Sequence, residues 1–262
     1  MADLDDLQRL RLRLHRLDPP RPLRDARAAA AFVHERKMVL ATGRSSLPML
    51  AEAIVGHPIR GSWMADPEVF RIHRLMHRVH RSGGVVAESL VEGKETLIDP
   101  SLGPAVERVA SDRARRDGAL RDLPPLARKL LDEVESTGEV RMDRWRASPK
   151  GGRVARMMLE RRWLVVSRSI HTESGYHTAL VRPWKLSPIA ARFGKASRRL
   201  GYEDAQRRLW RAAVRSAVVV LEGEARKWFP FGDAALYLLL ETGELQRRPE
   251  GRKIWLTSEQ SH

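Results

Sequence analysis

Cysteine is absent from the 262 residues. That removes disulfide scaffolds, thiolate zinc sites, thiol nucleophiles and cysteine-ligated iron–sulfur clusters together. Long apolar runs are missing as well. The longest, Ala28 to Val33 and Ala217 to Leu221, fall far short of the roughly 20 residues a membrane helix requires. Met1 to Leu17 is charged from Asp3 onward and lacks the apolar block of a signal peptide, so a soluble, cytoplasmic protein is expected. Acid is scarce: 33 Asp and Glu face 48 Lys and Arg, a formal net charge of +15 with a pI near 11.0. Aromatics are only 6%, yet a hydrophobic share of 42% excludes a chain disordered throughout. Neither Gly-x4-Gly-Lys-Ser/Thr, nor His-Glu-x2-His, nor Gly-x-Ser-x-Gly occurs, so no high-specificity catalytic signature is present. What remains is a basic chain with room for one large or two small domains, and its charge predicts a polyanionic partner.

Leu4, Leu7, Leu10, Leu14 and Leu17 recur at steps of three and four, one apolar stripe on a helix that Asp18-Pro19-Pro20 stops. Residues 1–20 are therefore read as a helical arm. Residues 21–120 read as a mixed α+β region. A helix over Leu23 to Arg36 is followed by a strand at Met38 to Ala41 and by a helix Leu47 to Val55 capped by Ser45 or Ser46. A further helix runs from Asp66 to Arg81, and a hairpin pairs Val85 to Val91 with Lys94 to Ile98. The boundary of this region is placed near Arg113 to Asp122. In residues 121–186, a helix from Pro124-Pro125 carries Leu126, Leu130, Leu131 and Val134 inward, and a second short helix is expected at Arg141 to Arg146. Ser148 to Gly152 reads as a turn, and a third helix spans Arg153 to Arg162 with Val154, Met157 and Met158 inward. Strands Trp163 to Ser169 and Tyr176 to Val181 complete the module. Three helices and a hairpin are the plan of a winged helix. Residues 187–262 repeat the order: a long helix Glu203 to Leu221, short helices Glu224 to Phe229 and Asp233 to Glu241, and strands at Leu245 to Arg248 and Lys253 to Thr257. The fold expected is α+β, mostly α, a mixed N-terminal region followed by two tandem winged-helix modules.

In the first module, Arg153 and Arg156 share the side of the third helix opposite Val154 and Met158, with Lys150 at the preceding turn and Arg168 and His171 on the wing; Glu160 and Glu173 temper that charge. Cationic side chains near the start of a recognition helix reach phosphates and base edges; a solvated basic face is the alternative. The third helix of the second module is too apolar to enter a groove, but its wing tip, Arg247, Arg248, Arg252 and Lys253, can touch a polyanion. Arg60-Gly61-Ser62-Trp63 places an arginine and an indole on a flexible loop, suited to phosphate and an unpaired base, although Trp63 equally fits the core. His73, His77 and His80 share a helix sector that suits packing or phosphate; a zinc site there lacks a fourth ligand. Glu92-x-Lys94 with Asp66 or Glu88 imitates the acid-x-lysine arm of a metal-dependent nuclease, but a hairpin turn explains it more simply. No metal and no cofactor are assigned.

The patterns Phe32-Val33, Leu47-Pro48-x-Leu50-x-Glu52-Ala53-x3-Gly56, Arg60-Gly61-Ser62-Trp63, Val91-Glu92-Gly93-Lys94-x-Thr96 and Leu102-x-Pro104-Ala105 resemble a family of small bacterial proteins. Continued into winged helices, the whole is similar to proteins related to the AlkZ/YcaQ-like DNA glycosylases. That resemblance implies tandem winged helices, DNA binding and a repair context. A Gln-x-Gln or Gln-x-Asp pair that positions the attacking water is expected of such enzymes. Here glutamine stands only at Gln8, Gln206, Gln246 and Gln260, and none has Gln or Asp two residues later, so the resemblance does not carry base excision.

The expectation is a nucleoid-associated DNA-binding protein that grips double-stranded DNA, damaged or branched forms included, mainly through phosphates. Its candidate contacts are Lys150, Arg153, Arg156, Arg168, His171, Arg60, Trp63, Arg252 and Lys253. An enzyme on damaged DNA, a divergent glycosylase or nuclease with its site between the N-terminal region and the first wing, is the alternative. The leucine arm and the apolar helix of the last module leave a third class open, a protein-interaction module with a homodimer through the arm.

Overall fold

The leucine stripe forms α1 (Leu4–Leu14), capped by Asp3 in a reciprocal box with Asp6. The computed structural model describes residues 3–145, 149–172 and 175–258; Arg146, Ser148, Glu173 and Gln260, named above, lie outside them. Leu7 is buried against Val218 and Val219, with Leu4, Leu10 and Leu14 packed around them. The arm's apolar face is thus taken up within its own chain.

The N-terminal region contains α2 (Ala26–Arg36), β1 (Met38–Leu40), α3 (Leu50–Val55), α4 (Val69–Arg81), β2 (Val86–Val91) and β3 (Lys94–Ile98). β3 lies between β1 and β2 in an antiparallel sheet. Two helix starts differ from the sequence expectation. α3 begins at Leu50 without a side-chain cap, because Ser45 and Ser46 both hydrogen-bond the distant Glu224 carboxylate. α4 begins three residues late, after Asp66 has accepted the Glu68 N–H. The expected boundary near Arg113 is itself helical: α5 (Gly103–Ala110) and α6 (Arg113–Arg121) lead directly into α7 (Pro125–Thr137).

In the next unit β4 (Val140–Arg141) replaces the short helix expected there, since Val140 and Arg141 pair with Val181 and Leu180. α8 (Pro149–Arg161) takes in most of the expected turn. β5 (Val165–His171) and β6 (His177–Pro183) form the hairpin, and β6 sits centrally. α9 (Pro188–Ser197) links this unit to α10 (Tyr202–Ala217). α10 does not continue to Leu221. The chain turns at Val218 with φ 68° and enters β7 (Val219–Leu221), which pairs with β9 (Lys253–Ser258). α11 (Glu222–Ala225), α12 (Ala234–Glu241) and β8 (Leu245–Glu250) complete the last unit.

The three sheets have one topology: the first strand flanks the third and the third pairs with the second. With a helix before the first strand and another before the hairpin, all three units, the N-terminal one included, follow a winged-helix-like order. A single apolar core joins them. At its centre Trp163 stacks on Trp184, and Phe229 and Phe231 meet Trp163 edge-on; Trp210 adds edge contacts to the same two phenylalanines. Edge-to-face and offset-stacked rings favour a fixed mutual angle beyond the burial of their area, so this cluster sets how the units sit together.

Candidate nucleic-acid interface

α8 occupies the position of the third helix in its unit. Gly152, Ala155 and Leu159 face inward, and a Cβ on Gly152 would meet the Trp145 ring at 3.3 Å. Small residues here let the helix close on the indole. The expected inward positions are corrected accordingly: Val154 and Met157 are 53% and 39% exposed, and only Met158 packs partly against the core. Lys150 and Arg153 are exposed beside them, and neither has an acid partner among the described residues. Arg156 behaves differently. It is half-buried, its Nη1 donating to Glu160 Oε1 at 2.7 Å and to Ser167 Oγ at 2.9 Å. Arg161, at the end of the helix, donates to the Glu92 carbonyl at 2.9 Å.

The β5–β6 wing extends from the same unit. Arg168, His171, Tyr176 and His177 are exposed on it, and the two imidazole rings lie 4.2 Å apart. The other two wings are engaged. In the first, the Glu92 N–H donates to the Trp228 carbonyl; in the third, Arg247 pairs with Glu222. Arg252 and Lys253, at the third wing's turn, line a hollow of about 940 Å³ with Arg44, Lys94, Arg226 and Lys227. Arg60 is exposed on its loop, and Trp63 is half-buried against the N-terminal core. The nine expected contacts therefore stand in separate places: α8 with its wing, the N-terminal loop and the third wing.

Between the N-terminal sheet and the β5–β6 wing lies a cleft of about 540 Å³, lined by Glu88, Glu95, Ser167, Arg168 and Arg182. Glu88 is buried at its base and accepts one hydrogen bond, from the Ser89 N–H at 3.0 Å. Burial pushes its carboxyl up to about 7, with Glu160 and Glu95 adding repulsion and the Ser89 bond opposing. Glu160, also buried, is held by Arg156 and by the Ser167 hydroxyl, which donates to it. Glu88 and Glu95 line this cleft, and Glu160 stands behind its wall, held by Ser167; carboxyl groups with different partners beside one cleft are a recurrent arrangement for proton transfer.

Because the folded pKa of Glu88 lies above its unfolded value, the folded state holds more protons between about pH 4.5 and 7, and stability falls as the pH rises through that window. Glu88→Gln is expected to add about 3 kcal/mol over wild type at pH 8 and little at pH 4, measured by urea unfolding. An equal difference at both pH values contradicts this assignment.

No known family and no curated protein matches this sequence. Among solved structures, the chain is similar to the Streptomyces sahachiroi DNA glycosylase AlkZ, at 14% identity and a TM-score of 0.49, over 98% of this chain and 70% of that one. No helix among the described residues is long and apolar enough to cross a membrane. Nor do three or more His, Asp or Glu among them gather as a metal site: His73 and His77 face solvent, whereas His80 lies 3.5 Å from Glu95.

The α4 sector expected to suit packing or phosphate is wider than its histidines and includes arginines unpaired among the described residues. α4 holds in the N-terminal unit the place that α8 holds in the next. It buries Ile72, Leu75, Met76 and Val79 and exposes Phe70, His73, Arg74, His77, Arg78 and Arg81. Arg74, Arg78 and Arg81 have no acid partner among the described residues. The steps of three and four from Phe70 to Arg81 carry this face in the sequence; that α4 is the third helix of a further repeat unit shows only in the sheet topology.

Proposed function

We propose that this protein binds duplex DNA, with the solvent face of α8 and the β5–β6 wing as the primary contact and the basic face of α4 as a second. The observation that carries it is the company on α8. Lys150 and Arg153 stand without acid partners among the described residues, on the same exposed face as Val154 and Met157, apolar side chains that the core does not use. Cations of this kind neutralise phosphates, while apolar side chains beside them meet thymine methyls or wedge at a base step. Arg156, steadied by Glu160, flanks that face, and Arg168 and His171 follow the backbone along the wing. Arg60 with Trp63, and Arg252 with Lys253, serve as outlying contacts. The setting is cytoplasmic, at the nucleoid, and the sequence resemblance favours repair of damaged or branched DNA.

Fluorescence anisotropy with a labelled duplex tests this. Lys150→Ala with Arg153→Ala should weaken binding at least tenfold, and Arg74→Ala with Arg78→Ala by a smaller factor. Unchanged affinity in the α8 variant sinks the primary contact.

The cleft favours a second reading, an enzyme on damaged DNA. Glu88 would donate a proton to the leaving base as a water molecule adds to the sugar carbon that the base leaves, with Glu95 also lining the cleft. Damaged and intact duplexes incubated with and without Mg²⁺ should then yield abasic sites or nicks, lost in Glu88→Gln although DNA affinity persists. No product from any duplex removes this reading and leaves the first intact.

A further inference from the structure

We propose a second anion site, away from the α8 face and its wing, that takes a di- or triphosphate group. It is a cavity of about 620 Å³ walled by α1, the end of α2 and α10, within the size range of small-molecule pockets. Six cations line it: Arg13 from the arm, Arg36 and Lys37 from the end of α2, and Arg208, Arg211 and Arg215 from α10, against one acid, Glu35. Arg211 is neutralised by Glu244 and Lys37 by Asp99. Arg13, Arg208 and Arg215 have no acid partner among the described residues.

Arg36 is the central group. Its Nη2 donates to the Arg215 backbone carbonyl at 2.9 Å, which anchors it at the end of α10, and both residues line the cavity; its buried Nε–H has no partner among the described residues. Burial, with Arg215 close by, depresses its basicity. The ends of α2 and α10 account for a cation or two, since helix C-termini carry partial negative charge. They do not account for a ring of guanidiniums drawn from three elements. Guanidinium forks match phosphate oxygens two at a time, and several at one site call for an anion of several charges. The floor, Leu10, Leu14, Leu102, Ala212 and Val218, is apolar and gives an organic moiety somewhere to lie. The arm closes one side, so the site is a pocket for a compact ligand and not a track for a duplex.

Tripolyphosphate, pyrophosphate and a nucleoside triphosphate, each titrated against the full chain at ionic strength matched with NaCl, test the site by calorimetry and thermal unfolding. Saturable binding and a raised Tm are expected with tripolyphosphate and not with NaCl. A tighter response to the nucleotide would identify the organic part, and equal responses a free polyphosphate; both support the site. Arg208→Gln with Arg215→Gln, and separately Arg13→Gln on the arm, should each weaken binding roughly tenfold or more. Lys150→Ala with Arg153→Ala should leave it unchanged, so loss of DNA binding and loss of this site are read separately. The proposal is overturned by the absence of saturable binding, by variants that bind as wild type, or by a duplex that displaces tripolyphosphate and loses affinity equally in the α10 variant, which would make the pocket part of the DNA surface.

Discussion

Trp163→Ala is expected to lower stability by about 3–5 kcal/mol, and to do so by loosening the joint between units. Trp163 is 1% exposed and follows α8 at φ 50°. Its Nε1–H donates to the Leu90 carbonyl in β2 at 3.0 Å. Its ring stacks 5.9 Å from Trp184 in its own unit and meets Phe229 and Phe231 of the last unit at 6.1 and 5.8 Å. One side chain therefore touches all three winged-helix-like units. Truncation leaves a cavity at their junction and an unpaired carbonyl on β2, each with its own cost. Chemical denaturation followed by tryptophan fluorescence and by far-ultraviolet dichroism should show non-coincident transitions in the variant and coincident ones in wild type. Trp163→Phe keeps most of the packing but loses the N–H, and should fall between the two. A loss below about 1 kcal/mol for Trp163→Ala, the scale of an ordinary surface change, contradicts a joint at this residue.

Acid should release the N-terminal arm. His15 ends α1 and is buried, with Nε2 3.1 Å from the Ser216 carbonyl, so the neutral ring donates from Nε2. Burial drives its basicity down to about 3, the Ser216 bond opposing and Arg11 and Arg36 adding repulsion. The unfolded or undocked chain takes the proton near pH 6.5, so it binds more protons than the folded state between about pH 6.5 and 3. Stability from this group is complete above that window and is lost as the pH falls through it, on the order of 4 kcal/mol at full extent. Glu88 has the opposite slope over part of the same range, so only a difference between variants isolates each group. The arm contacts the body chiefly through Leu7 and its neighbours, so it should open locally before the body unfolds. Hydrogen exchange of the Leu4–Leu14 amides should lose protection below about pH 5 in wild type and keep it in His15→Gln, whose amide N–H can replace the imidazole. Identical exchange profiles in the two would contradict this role for His15. Because Arg13 lies on the arm, the proposed phosphate pocket should weaken over the same interval.

Much of the architecture was legible from local rules. The hairpin at Glu92-Gly93 and the helix after Pro124-Pro125 follow from turn chemistry and capping, which act within a few residues; α1 ends at Leu14, short of the expected stop at Asp18-Pro19-Pro20, and leaves Leu17 outside the helix. What was not legible depended on distant partners. Ser45 and Ser46 look like helix caps until Glu224 reaches them from the last unit. The run Val218 to Leu221 continues the helical pattern of α10, and it becomes a strand only because β9 offers it an edge and α1 covers Val219. Periodicity placed an apolar stripe on α8 but could not say which stripe the core would take. Gly152 and Ala155 won because small residues allow close approach to Trp145, and that choice left Val154 and Met157 outside. For the candidate site, the cations of α8 and the wing were legible as residue types. That Lys150 and Arg153 have no acid partner among the described residues while Arg156 is paired with Glu160 was not, and neither was the burial of Glu88 at a cleft walled by two units.

The most direct test of DNA recognition by α8 is the salt dependence of duplex binding. Affinity measured from about 50 to 200 mM salt should fall steeply for wild type, by orders of magnitude if six or more phosphates are engaged. For Lys150→Glu with Arg153→Glu, the affinity should drop and the slope of log affinity against log salt should shrink by about two, one for each lost phosphate contact. Parallel slopes and equal affinities for the two proteins would contradict recognition through α8.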